Sequence, residues 1–140
     1  MSRSIHAPSA LFDSLKFGFA QVSVVATPCG DAIHVSGQVA WDAERNIVGE
    51  NDIGHQLQKS LENLSAALSS VGASLNQVGA LRLYIRQSHI HEGAAISKVL
   101  KAVFGNRPPC TTWIGVPSLA REEFLIEVEP SVVFVQGPKQ

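Results

Sequence analysis

The sequence predicts an α+β domain in which a mixed sheet carries two helices on one face, in the order β-β-α-β-α-β-β. Three observations carry this. Ile53, Leu57, Leu61, Leu64, Leu68 and Val71 recur at three- and four-residue steps, the spacing of a single helical face. Ala95, Ile96, Val99, Leu100 and Val103 repeat that pattern later in the chain. Between and around these helices lie short segments that alternate with period two, as half-buried strands do.

Taken in order, the first structured stretch is expected near Phe17. Residues 19–26 alternate loosely, and Thr27-Pro28-Cys29-Gly30-Asp31 supplies turn chemistry before residues 32–39 return as the second strand of a hairpin. Residues 41–51, polar and turn-rich, read as a loop. Asn51 or Asp52 can cap the first helix by accepting its free amides, and Gly72 suits its left-handed stop. In residues 78–86, Leu81, Leu83 and Ile85 face one way and Arg82, Tyr84 and Arg86 the other. The second helix spans Glu92 to Phe104, is stopped by Gly105, and cannot continue through Pro108 and Pro109. Cys110 to Val116 and Phe124 to Glu129 complete the strands. In the last of these, Glu127 and Glu129 share one face while Phe124, Ile126 and Val128 share the other. Two helices cover only one face of such a sheet, and no element is left over for the other. A second subunit is its natural cover.

A chain of 140 residues fits one domain, residues 1–140, and an apolar fraction of 45% is that of a globular protein. The formal net charge of −1 gives no electrostatic drive toward nucleic acid or anionic lipid. No apolar run reaches membrane-spanning length, and Met1-Ser2-Arg3-Ser4-Ile5-His6 lacks the apolar core of a secretory signal. Cys29 and Cys110 form neither a disulfide framework nor a metal spacing. A reduced, cytoplasmic protein is the expectation.

The candidate chemistry is sparse. Glu127 can serve as a general base or orient water, although paired glutamates also suit a solvated strand face. Gly37 after Ser36 allows close backbone approach to a ligand, but Ser36 has no neighbouring base and no nucleophile-elbow pattern. His89 and His91 have a spacing that can hold a metal, without an acidic or thiol partner at a recognisable distance. Arg82 and Arg86 can grip a carboxylate or simply pair at the surface. No phosphate loop, dinucleotide fingerprint or zinc pattern is present.

Val35-Ser36-Gly37-Gln38, the helix segment Gln58-Lys59-Ser60-Leu61-Glu62-Asn63-Leu64, and residues 109–116 followed by Ile126-Glu127-Val128-Glu129 occur together in order. With these motifs the chain, from about Phe17 onward, resembles the RidA/YjgF family of reactive intermediate deaminases, labelled endoribonuclease L-PSP in older naming. The resemblance implies a chorismate mutase-like fold and a homotrimer with a small-molecule cleft at each subunit interface. It also implies hydrolysis of imines and enamines, such as 2-aminoacrylate, to keto acid and ammonia without metal or organic cofactor.

In such enzymes a glutamate on the last long strand positions water, backbone at a Ser-Gly pair assists, and an arginine two residues after the proline holds the substrate carboxylate. The matching positions are Glu127, Ser36 with Gly37, and Thr111. A threonine offers one neutral hydrogen bond where arginine offers a charged, bidentate pair. Phe19 stands where active members have an aromatic hydroxyl, and Trp113 where they commonly have cysteine. The implied cleft, lined by Phe19, Ser36, Gly37, Thr111, Trp113 and Glu127, is more aromatic and less cationic than in those enzymes. Arg107 is the candidate substitute for the missing cation. Standard 2-aminoacrylate deamination is therefore not expected, and a non-catalytic ligand-binding or regulatory trimer is the alternative. Ribonuclease activity fits poorly, for want of a basic stripe or an acid-base histidine pair.

Overall fold

The computed structural model describes residues 2–136. Six strands form one sheet in the order β1-β2-β3-β6-β4-β5: β1 Arg3–His6, β2 Val22–Thr27, β3 Gly30–Val35, β4 Val78–Arg86, β5 Cys110–Val116 and β6 Ile126–Gln136. The helices are α1, Ile53–Ser69, and α2, Gly93–Phe104. β4 and β5 are parallel, joined by the α2 crossover, and every other pairing is antiparallel. The mixed sheet and its two helices agree with the expected fold class.

The apolar stripe of α1 lies on the sheet. Leu57, Leu61, Leu64 and Leu68 are essentially solvent-free and join Leu81, Leu83, Ile85, Ile126 and Val128 in one core. Each such leucine contributes about 1.5–3 kcal/mol relative to exposure, so this stripe fixes the helix. Of the two expected caps, Asp52 is the one used: its Oδ1 accepts the His55 amide at 3.0 Å. The helix ends at Ser69, and Gly72 lies beyond it at φ +74.

Two expectations are corrected. The structure begins with β1, well before Phe17; Arg3 to His6 pair with Val25 to Val22 at the sheet edge. β1 is short and mostly exposed, with no alternating apolar pattern to betray it. The last strand continues seven residues past Glu129. Pro130 cannot donate to a ladder, but register shifts opposite Ala80 and Leu81 accommodate it. Val133 beyond it returns to the core.

The sheet face away from the helices is left open. Strand pairing puts Glu127 beside Tyr84, with Ile114 one strand further, and Glu129 beside Arg82, with Thr112 one strand further, on this face. At its other end stand exposed apolar side chains: Ile5 (49%), Val132 (56%) and Phe134 (44%).

Candidate functional site

β3 and β6 pair only from Gly30 to Ala32, after which the chain leaves the ladder. It rejoins β6 at a single bridge, where the amides and carbonyls of Gln38 and Val128 exchange hydrogen bonds of 2.8 and 2.9 Å. This bridge brings Gly37 against the side chain of Glu127. A Cβ at position 37 would overlap Glu127 Oε1, so glycine is what allows the carboxylate to lie there.

A buried amide pair holds the loop. Gln38 Nε2 donates to Gln21 Oε1 at 3.0 Å and to the Ser36 carbonyl at 2.8 Å, while Gln21 Nε2 donates to the Phe12 carbonyl at 3.3 Å. Ser36 donates its amide to Gln21 O at 2.9 Å and its hydroxyl to Ala20 O at 2.7 Å. The Ser36 hydroxyl is thus engaged within the chain.

Around Glu127 lies a cavity of about 230 Å³. Its walls are aromatic: Phe12, Phe17, Phe19, Trp41 and Phe124. Phe12 packs edge-on to Trp41 with ring centres 4.7 Å apart, and Trp41 packs edge-on to Phe124 at 5.1 Å. Among the described residues two charged side chains line it, Glu127 and Arg45. The Arg45 guanidinium carbon lies 4.7 Å from the Phe17 ring centre and 5.9 Å from that of Trp41.

Glu127 has no hydrogen-bond donor among the described residues. Burial, followed by repulsion from Glu129, pushes its pKa above the usual carboxylate value. Glu129, two residues on, is tied to Arg82 at 3.0 Å and to the Tyr84 hydroxyl at 3.2 Å. One glutamate is therefore paired and the other left free to act on a ligand or water. An unpaired carboxylate in a partly desolvated, aromatic-walled cavity is a competent proton acceptor.

Of the residues predicted from sequence, Phe19, Gly37 and Glu127 meet in this cavity, with Ser36 immediately behind Gly37. Thr111 and Trp113 do not line it within one chain. They lie on β5, opposite Leu81 and Leu83, on the helix-bearing side of the sheet. There Trp113 Nε1 donates to Thr111 Oγ1 at 3.2 Å, and the Trp113 ring approaches Gly93. Arg107 sits in the exposed turn after α2, its amide bonded to Phe104 O at 3.1 Å, and also lies outside the cavity. Phe124 was expected in the stripe of Ile126 and Val128; it precedes the strand and lines the cavity with Glu127 instead.

The contributions of Phe12, Phe17, Trp41 and Arg45 were not anticipated. A tryptophan within a polar loop was the one signal available for them. Arg82 is occupied by Glu129 and Arg86 by the Glu122 carbonyl. His89 Nε2 is 3.6 Å from Glu92, and among the described residues no three potential metal ligands converge. Nor is any described helix long and apolar enough to cross a membrane.

The family profile described as Endoribonuclease L-PSP matches residues 18–134. The chain belongs to the RidA/YjgF family. A RutC family protein of Pyrococcus abyssi is 32% identical over 104 residues, covering 74% of this chain and 80% of that one. A 2-iminobutanoate/2-iminopropanoate deaminase of Dermatophagoides farinae is 26% identical over 108 residues, 77% of this chain and 82% of its own. Among solved structures, the Rid-family protein YyfB of Yersinia pestis, of unknown function, is 34% identical with a TM-score of 0.68; the match covers 95% of this chain and 99% of that chain. In this RidA/YjgF member the profile spans every cavity-lining residue except Phe12 and Phe17.

Proposed function

We propose that this protein is a cofactor-independent hydrolase of imines, enamines or a related C–N bond, acting in a cleft completed by a second copy of the chain in a homotrimer. Glu127 is the group that acts on water. Its carboxylate takes a proton from water as the oxygen bonds to the carbon of the C=N group, and passes that proton to the nitrogen. In the resulting carbinolamine Glu127 then moves the hydroxyl proton to the nitrogen as the C–N bond breaks, the carbonyl forms and ammonia leaves. The amides of Gly37 and Gln38 are not both free for the reaction, since the Gln38 amide is committed to Val128. Gly37 contributes mainly by leaving room.

The observation that supports this reading best is the unpaired, partly buried carboxylate of Glu127 against Gly37, beside a cavity of about 230 Å³. That volume is below the ~300–1,000 Å³ of sites for drug-sized ligands. It suits a ligand of about one ring. The open sheet face with Val132 and Phe134 supports association of copies. In the trimer, Thr111 and Trp113 on the edge strand of one copy are proposed to close the cavity of the next. The relative named as an iminobutanoate and iminopropanoate deaminase supports the reaction class.

The test is ammonia release from imines generated in place by an amino-acid oxidase, with aliphatic and aromatic side chains compared. Aromatic imines are expected to be hydrolysed faster than 2-aminoacrylate, and Glu127→Gln to lower the rate by roughly 10²-fold or more, the scale of general-base catalysis. Turnover of no imine, with a ligand still bound in the cavity, would instead favour the non-catalytic binding protein.

A further inference from the structure

Among the described residues one cation lines the cavity, and its environment leaves that cation available. The Arg45 backbone is fixed by a tight turn: its amide donates to Asp42 O at 3.0 Å, and it adopts φ +65. The adjacent Glu44 forms no ion pair with Arg45 among the described residues, and Asp42, three residues earlier, is consumed by the same turn. Its Oδ1 accepts the amides of Glu44 and Asn46 at 3.0 and 2.9 Å, and its Oδ2 accepts Asn46 Nδ2 at 3.1 Å. Arg121, whose Nη1 reaches the Arg45 carbonyl at 3.4 Å, is itself paired with Glu123 at 3.1 Å. Among the described residues no carboxylate pairs with Arg45, and no ion pair joins it to Glu127 across the cavity. Its guanidinium is instead stacked over Phe17 and Trp41, which restricts the side chain while leaving the edge N–H groups free.

We infer that Arg45 is the anion anchor of this cavity: it takes the carboxylate of an aromatic or bulky apolar imino acid, whose ring packs among Phe12, Phe19, Trp41 and Phe124. A planar, edge-exposed guanidinium is suited to bidentate carboxylate binding, and the restricted side chain loses little further freedom on pairing. Arg107, the candidate substitute cation from the sequence, lies outside the cavity, as do Arg82 and Arg86. The substrate class thus differs from a small imino acid in needing both a hydrophobic body and a negative end. Placement of the reacting bond at Glu127 rests on the hydrolase reading; anchoring of the anion does not.

Equilibrium binding separates the two. Phenylacetate and its neutral counterpart phenylacetamide would each be titrated calorimetrically into the native protein and into Arg45→Met, Arg45→Lys and Arg107→Met. The native protein is expected to prefer the carboxylate by roughly tenfold, the worth of about one charge-assisted contact. Arg45→Met keeps the aliphatic stem and should abolish the preference without changing phenylacetamide affinity. Arg45→Lys should retain part of it, and Arg107→Met all of it. A preference that survives in Arg45→Met, that vanishes in Arg107→Met alone, or that the native protein never shows would overturn the inference. If the preference follows Arg45 while no imine is turned over, the anchor stands and the hydrolase reading fails.

Discussion

Glu127 and Glu129 sit on one face of β6, two residues apart, yet their partners make them different groups. Glu129 is held by Arg82 and Tyr84, whereas Glu127 rests on Gly37 without a donor. Because its pKa is raised on folding, the folded state holds the Glu127 proton more tightly than the unfolded chain does. Stability contributed by this site is therefore lost as pH rises from the unfolded value through the folded one, and the whole cost is present above both. Glu127→Gln removes that cost. Its Tm should exceed that of the native protein at pH 7–8, with the gain shrinking as pH falls below the ordinary carboxylate range; thermal melts across that range check this. A gain independent of pH would contradict the assignment. The sequence offered Glu127 through strand alternation and family motif, and Gly37 through its neighbour Ser36. It gave no hint of Arg45, because an arginine in a polar turn looks like any solvated side chain until the aromatic rings beneath it are known.

At the scale of elements, α1 both fills the core and holds the cavity loops. Asn63, on its buried side, donates Nδ2 hydrogen bonds to the carbonyls of Val39 at 3.0 Å and Trp41 at 2.9 Å. Gln56 likewise accepts from the Leu125 amide at 2.8 Å and donates to Glu123 O at 2.9 Å, fixing the approach to β6. Asn63→Ala strands two carbonyls and should cost about 1–3 kcal/mol, read as a Tm lowered by several degrees in a chain of this size. An unchanged Tm would show that water replaces the amide freely. The leucine spacing made α1 legible at a glance. Its polar buried residues were not, because periodicity reports which face is apolar and says nothing of a glutamine or asparagine reaching off that face to a loop. β1 and the far half of β6 were hidden for related reasons: one strand has no apolar alternation, and the other runs through a proline that only a bulge can absorb.

At the scale of the whole molecule, one layer of helices on a six-stranded sheet leaves the opposite face to be covered. Its far end carries Val132 and Phe134, which water would otherwise meet, and its near end carries the rim of the cavity. The lack of spare elements made this need legible from the sequence; the order of strands across the face, which sets what lies beside what, was not. Phe134→Glu places a charge in the proposed contact and should yield folded single chains. Thr111 and Trp113, remote from Glu127 within one chain, can meet it only if another copy brings them there. The mass of the native protein in solution, by sedimentation equilibrium at micromolar concentration, tests that most directly. Three times the 15.0 kDa of one chain is the predicted result, and a stable species of one chain mass would contradict it.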